Sequence, residues 1–165
     1  MNSTRQPFQV LVFPYTTDNN GEYKFALFQR SDEYYWQGIA GGGEHNEKPI
    51  DAASREAFEE AAISGEILEL VSTANLPAPA VAGFLWGEGV FIIPEYSFGI
   101  AVNADAPIKI SREHTTYQWF TFGEAIEKLK WDSNKTALWE LSYRLTHNGI
   151  DGYHNRKLIQ SFSQT

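Results

Sequence analysis

The 165-residue chain contains no cysteine, which excludes disulfides and thiolate metal ligands and leaves the redox compartment open. Basic residues are scarce: 13 Lys and Arg stand against 21 Asp and Glu, a formal charge of -8. That balance argues against nucleic acid and anionic lipid as partners, since both reward cation excess. A polyanionic small molecule would need cations gathered locally. Long hydrophobic runs are also missing, for no stretch approaches the ~18 apolar residues of a membrane span. The opening Met1-Asn2-Ser3-Thr4-Arg5-Gln6-Pro7 lacks the apolar centre of a secretion signal. A cytoplasmic protein with no membrane partner is the expectation. What the chain does have is 42% hydrophobic and 15% aromatic residues without repeats or low-complexity tracts, enough to bury one core.

Phe8 to Tyr15 and Tyr23 to Gln29 are apolar, β-rich runs, and Asp18-Asn19-Asn20-Gly21 between them supplies turn residues, which predicts a hairpin. Tyr34-Tyr35-Trp36-Gln37-Gly38-Ile39-Ala40 then leads into glycines 41, 42 and 43, where backbone can approach a neighbour closely. After a loop, Pro49 opens a helix with an apolar stripe of Ile50, Ala53, Ala57 and Ala61, and Ser64-Gly65 offers its stop. Ile67 to Thr73 and Val90 to Val102 read as strands. The Pro/Ala/Gly-rich connection from Leu76 to Gly89, with Phe84, Leu85 and Trp86, is either a pocket lid or packing for the sheet edge. Tyr117 to Thr121 reads as a short strand, and Glu124 to Lys130 and Asn134 to Thr146 as helices, the second closed by Asn148-Gly149. Residues 1-149 form one domain in this reading and 150-165 a tail without a clear pattern. The fold class is α/β (α+β), a single mixed β-sheet covered on its faces by three helices.

The chemistry concentrates between Gly41 and Ile63. At about 100° per residue, Glu56, Glu59 and Glu60 share one sector of the helix beside the apolar stripe. Crowded like charges cost roughly 0.2 to 0.5 kcal/mol per pair, so stability alone does not select them next to a core. Hard divalent cations, Mg²⁺ above all, take such oxygen ligands together with substrate phosphates. For an isolated Arg-Glu-x-x-Glu-Glu the simpler account is a solvated acidic face.

The spacing decides between the two accounts. Gly41, Glu47, Arg55-Glu56-Ala57, Glu59-Glu60 and Ile63 stand at intervals that resemble the Nudix box, G-x5-E-x7-R-E-U-x-E-E-x-G-U, with U apolar. With six fixed types at about 6% each, chance produces this on the order of once in a hundred thousand such chains. Ala62 departs from the pattern, standing where the family has a helix-ending Gly, and Gly65 is the substitute stop. Downstream, Glu113-His114-Thr115-Thr116-Tyr117-Gln118-Trp119-Phe120 is similar to the E-H-x-x-Y-x-W-apolar segment of one branch, the dihydroneopterin triphosphate and dATP pyrophosphohydrolases. Gln29-Arg30, Tyr35-Trp36-Gln37 and Ser133-Asn134 fit that branch too.

The resemblance implies a Nudix-type fold and hydrolysis of a phosphoanhydride with Mg²⁺, or Mn²⁺ in its place. It implies Glu56 and Glu60 as principal metal ligands, Glu59 as ligand or water-polarising group, and Glu113 and the Ala40 carbonyl as further ligands. Arg55 and Glu47 are then the supports that fix those side chains. Arg30 is expected on the phosphates because a chain of this charge needs a cation beside a polyanion, with Arg5 as the weaker second. Tyr35 and Trp36 are candidates for an aromatic wall beside Gly41, and Trp36 and Trp119 read as core or pocket-wall aromatics rather than as chemistry. Ser133, Asn134 and main chain around Asn75 to Pro77 are candidate partners for a base or pterin ring. His114 is either structural or a substrate contact, while His45, His147 and His154 have no metal-ligand spacing. The partner is therefore a nucleoside or pterin triphosphate, with monomer and homodimer both open. The rivals are a diadenosine polyphosphate or nucleotide-sugar hydrolase, and a sensing module that binds a nucleotide without turnover. Three retained carboxylates count against the sensor.

Overall fold

In a computed structural model, which describes residues 5–82 and 86–147, the chain forms one seven-stranded mixed sheet with helices on both faces. Strand β1 (Gln6–Thr17) is its spine. It pairs antiparallel with β2 (Tyr23–Arg30) through Tyr15 to Thr17, antiparallel with β4 (Ile39–Gly43) through Gln6 to Val12, and parallel with β6 (Ile92–Ala101). Outside β2 lie the two-residue β3 (Trp36–Gln37) and β7 (His114–Phe120), and outside β6 lies β5 (Ile67–Pro77).

Because successive strand residues face opposite ways, β1 feeds two cores. Val10 and Val12 join Phe28, Phe98 and the alanines Ala52, Ala53, Ala57 and Ala61 of α1 (Pro49–Ala61). Leu11 and Phe13 meet Phe25, Leu27 and, from α4 (Asp132–Thr146), Ala137, Leu138 and Leu141. Both faces of β1 are thus buried, which explains its unbroken apolar run. Each fully buried Phe or Leu contributes about 1.5 to 3 kcal/mol, so the two clusters hold the layers together.

Several sequence expectations change. The helices number four among the described residues, since α2 (Ala78–Ala82) forms within the Leu76–Gly89 connection, joining α1, α3 (Phe122–Lys128) and α4. Continued pairing with Ile92 to Pro94 carries β5 on to Pro77. The glycine segment is the strand β4 rather than a loop. Ile50 is 40% exposed and stands outside the apolar stripe, where Ala52 takes the buried place. The helix stop is Ala62 and not Gly65: Ala62 adopts φ 55, ψ 34, and the amides of Ala62 and Ile63 return to the Phe58 and Ala57 carbonyls, as in a Schellman turn. Gly65 answers a different need, for a Cβ there would overlap the Ala101 carbonyl of β6. Asn148, Gly149 and the tail 150-165 lie outside the described residues, as do Phe84 and Leu85.

Candidate active site

The hairpin, the glycine strand and the starts of β7 and α4 meet around a cavity of about 440 Å³. A second hollow of about 410 Å³ adjoins it, and the two share Arg5, Gly42, Glu56, Glu60 and Glu113.

The α1 wall is built first from what glycine omits. A Cβ at Gly41 would overlap the Glu56 carboxylate, so the missing side chain is the space that Glu56 occupies. Arg55 then ties helix to strand. Its Nε lies 2.9 Å from Glu47 Oε1, and its Nη2 lies 3.0 Å from Glu47 Oε2 and 2.8 Å from the Gly42 carbonyl. Its Nη1 donates to Glu56 at 2.8 Å and to Glu59 at 3.0 Å. Glu47 is in turn fixed by the Glu44 amide at 2.9 Å, and the guanidinium holds its carboxyl below the ordinary range.

The positive group beside the carboxylates is thus partly Arg55 itself, and its reach ends at Glu59. Glu60 has no such partner. It is buried, its Oε2 accepts no hydrogen bond, and His114 Nε2 stands 3.6 Å away, beyond bonding distance. Burial, with Glu113 and Glu56 as like-charged neighbours, pushes the Glu60 carboxyl to about 9. Burial also raises Glu56 against the pull of Arg55. His114 is pushed down to about 4 by burial and then by Arg30, so it is neutral at pH 7. Both of its ring nitrogens lack hydrogen-bond partners, and the ring sits 5.3 Å from Phe28.

Glu113 lies far from α1 in sequence, yet it lines both hollows with Glu56 and Glu60. It accepts from Arg30 Nη1 at 3.1 Å, and Arg30 also grips Asp32 at 2.7 Å, which raises the guanidinium's already high pKa. Among the described residues no three acidic or imidazole groups stand as a preformed ion cage. The donor set is nonetheless all oxygen, with an orphaned buried atom at Glu60, and that fits a hard divalent cation. Ala40 and Gly41, within β4, line the cavity.

The far side of the cavity is aromatic and polar. Tyr35 meets Trp131 edge-on at 5.5 Å, with Lys130 Nζ over both rings at 4.3 and 4.5 Å. Ser133 and Asn134 line the wall at the start of α4, and Asn134 Oδ1 accepts from the Gly38 amide at 3.2 Å. Arg5 lies over the Trp86 ring at 5.8 Å. Trp36 is the exception, packed edge-on to Phe120 at 5.4 Å in the α4-side core and off the cavity wall. Sequence reasoning missed Gln9, Glu95 and Trp131. A charged residue inside the buried strand Ile92–Ala101 was the available signal for Glu95.

Against known proteins, residues 7–139 match the NUDIX domain family. A structure described as a NUDIX hydrolase of Listeria monocytogenes is 36% identical, with a TM-score of 0.79 over 88% of this chain and 98% of that one. The dihydroneopterin triphosphate pyrophosphohydrolase of E. coli is 25% identical, with a TM-score of 0.71 over 85% and 97%. The asymmetrical bis(5'-nucleosyl)-tetraphosphatase of Sus scrofa is 28% identical over 123 residues, 74% of this chain and 80% of that protein. Another curated relative is longer, and the chain spans 33% of its length. No helix among the described residues is long and apolar enough to cross a membrane. With a family match over most of its length, a shared fold and an acidic helix locked by its arginine against a glycine strand, the chain belongs to the NUDIX domain family and is a Nudix hydrolase.

Proposed function

We propose that this Nudix hydrolase acts on a nucleoside or pterin triphosphate, splitting the α-β phosphoanhydride to give pyrophosphate and a monophosphate. The observation that carries the reading is the orphaned Glu60 Oε2, held beside Glu56 and Glu113 in the wall of a cavity that is elsewhere lined by aromatic and polar groups.

Nudix hydrolases use divalent metal ions. Here Glu56 and Glu60 would hold Mg²⁺, or Mn²⁺, with Glu113 and the Ala40 carbonyl as further donors. Such an ion supplies charge neutralisation at the phosphates and activation of the attacking water. The chain's own groups do the rest. Arg55 and Glu47 fix the Glu56 rotamer, and Glu59, exposed beside it, accepts a proton from water. Arg30 is turned toward Glu113 and can exchange that partner for a phosphate, with Arg5 on the opposite wall. Tyr35 and Trp131 provide the planar wall for the ring.

The test is a substrate panel with Mg²⁺ and then Mn²⁺: the deoxynucleoside triphosphates, dihydroneopterin triphosphate, a dinucleoside tetraphosphate and ADP-ribose. Released pyrophosphate and phosphate are measured separately. Triphosphate turnover with pyrophosphate release is expected. Preference for the dinucleoside tetraphosphate would transfer the reading to the activity named for the Sus scrofa relative, and no turnover with either ion would remove it.

A further inference from the structure

Glu95 sits in the middle of β6, opposite Gln9 in the parallel register with β1, and only 3% of it is exposed. Its Oε2 accepts from Gln9 Nε2 at 2.9 Å, and Ser133 stands near enough to favour the ionised form of the same carboxyl. Its Oε1 is buried with no partner at all. Among the described residues no ion pair reaches it, and burial raises its carboxyl above the ordinary range against the pull of Gln9 and Ser133. A carboxyl buried without a counter-charge costs several kcal/mol, and a core has no use for it. Glu95 also lines the large cavity, on the side of Ser133 and Asn134 and away from the hollow shared by Arg55 and Glu59.

We infer that Glu95 is the specificity residue for the heterocycle, its free oxygen accepting N–H donors from the edge of a 2-amino-4-oxo ring of the guanine or pterin class. This rests on the triphosphate reading above. The argument is one of hydrogen-bond direction. Gln9 donates to Glu95, so the carboxyl is held as an acceptor and its remaining lone pairs ask for donors. A 2-amino-4-oxo ring offers two side by side, the ring N–H and the exocyclic amino group. Adenine presents an acceptor nitrogen at the corresponding place, which would face the carboxylate lone pair to lone pair. A buried acceptor left unpaired rejects a ligand lacking the donor much more strongly than an apolar wall does.

Two comparisons test this. Wild-type enzyme is assayed on dGTP and dITP, which differ only in the 2-amino group, and on dATP. Loss of one hydrogen bond to a buried acceptor should lower kcat/KM for dITP by about 10- to 100-fold, and dATP should fare no better. In Glu95→Gln, Gln9 still donates to the amide oxygen, so the amide nitrogen takes the place of the free oxygen and turns an acceptor into a donor. The variant should lose about 100-fold on dGTP and on dihydroneopterin triphosphate, and the dGTP-to-dATP ratio should fall by more than that loss. Equal wild-type rates on dGTP and dITP, or an unchanged ratio in a folded Glu95→Gln, would overturn the assignment. If no triphosphate is hydrolysed, the proposed reaction fails on its own. Calorimetric binding of dGMP against dIMP without metal then still decides Glu95, equal affinities refuting it.

Discussion

Glu60→Gln gives a stability prediction whose sign depends on pH. Folded, the Glu60 carboxyl is held at about 9 by burial and by Glu113 and Glu56, while an ordinary unfolded glutamate ionises at 4.5. A group raised in this way stabilises the fold fully below about pH 4.5 and loses that contribution as pH climbs toward 9. At pH 7 the gap from 4.5 is about 2.5 pH units, and at about 1.4 kcal/mol per unit the loss reaches about 3 kcal/mol. That figure is a ceiling, since any relaxation of the surrounding carboxylates reduces it. Glutamine keeps the shape and does not titrate. In EDTA, then, Glu60→Gln should be no more stable than wild type at pH 5 and progressively more stable at pH 6, 7 and 8. His114, pushed down to about 4, weakens the fold in acid as pH falls below its usual 6.5, but it does so in both proteins and drops out of the difference. Urea unfolding at the four pH values reads this directly. Adding Mg²⁺ should reverse the order at pH 7, because wild type gains by ligand linkage and the variant gains far less. A stability difference that does not change with pH, or an equal Mg²⁺ gain in both proteins, would refute the reasoning.

Other positions yield sharper tests of geometry. Gly41→Ala places a methyl where the Glu56 carboxylate lies, so turnover should fall about 100-fold and Mg²⁺ affinity should drop in calorimetry, with far-UV circular dichroism unchanged. Arg55→Lys keeps the charge but loses the fork that joins Glu47, Gly42 and Glu56. It should cost at least about 10-fold in kcat, and combining it with Glu47→Gln should cost little more than the worse single change. Additive losses would show that the two residues act separately. Ala62→Gly relieves a left-handed residue at φ 55 and should raise stability by about 1 kcal/mol in urea unfolding, with activity unchanged.

The acidic helix was legible because its meaning lies in spacing: Arg55 and the three glutamates sit within six residues, which one helix brings together without help from the rest of the chain, and Gly41 and Glu47 complete a recognisable interval. Glu113 was legible only through its resemblance to a known segment, since its approach to Glu60 depends on how β7 pairs with β2. Glu95 carried one signal, a charge inside an apolar strand, but nothing in the sequence said what it faces. Its meaning comes from the register of β6 against β1, which sets it opposite Gln9, and from the position of α4, which brings in Ser133. Trp36 shows the reverse failure: proximity to the glycines in sequence suggested the pocket, but the strand's alternation turns Trp36 into the core and leaves Tyr35 on the cavity wall. The end of α1 was misplaced because glycine is the usual left-handed residue, and here alanine accepts the strain.

The parallel pairing of β1 with β6 has a consequence for the newly made chain. Gln9 leaves the ribosome 86 residues before its partner Glu95, and Ser133 follows later still. The acidic helix and glycine strand can settle against β1 while synthesis continues, whereas the cavity wall of Glu95, Ser133 and Asn134 must wait for β6 and α4. Long-range strand pairing of this kind is slow, because the intervening chain has to be gathered first. A nascent chain halted before residue 133 would carry the carboxylates with the opposite part of their cavity, Ser133 and Asn134, still unmade.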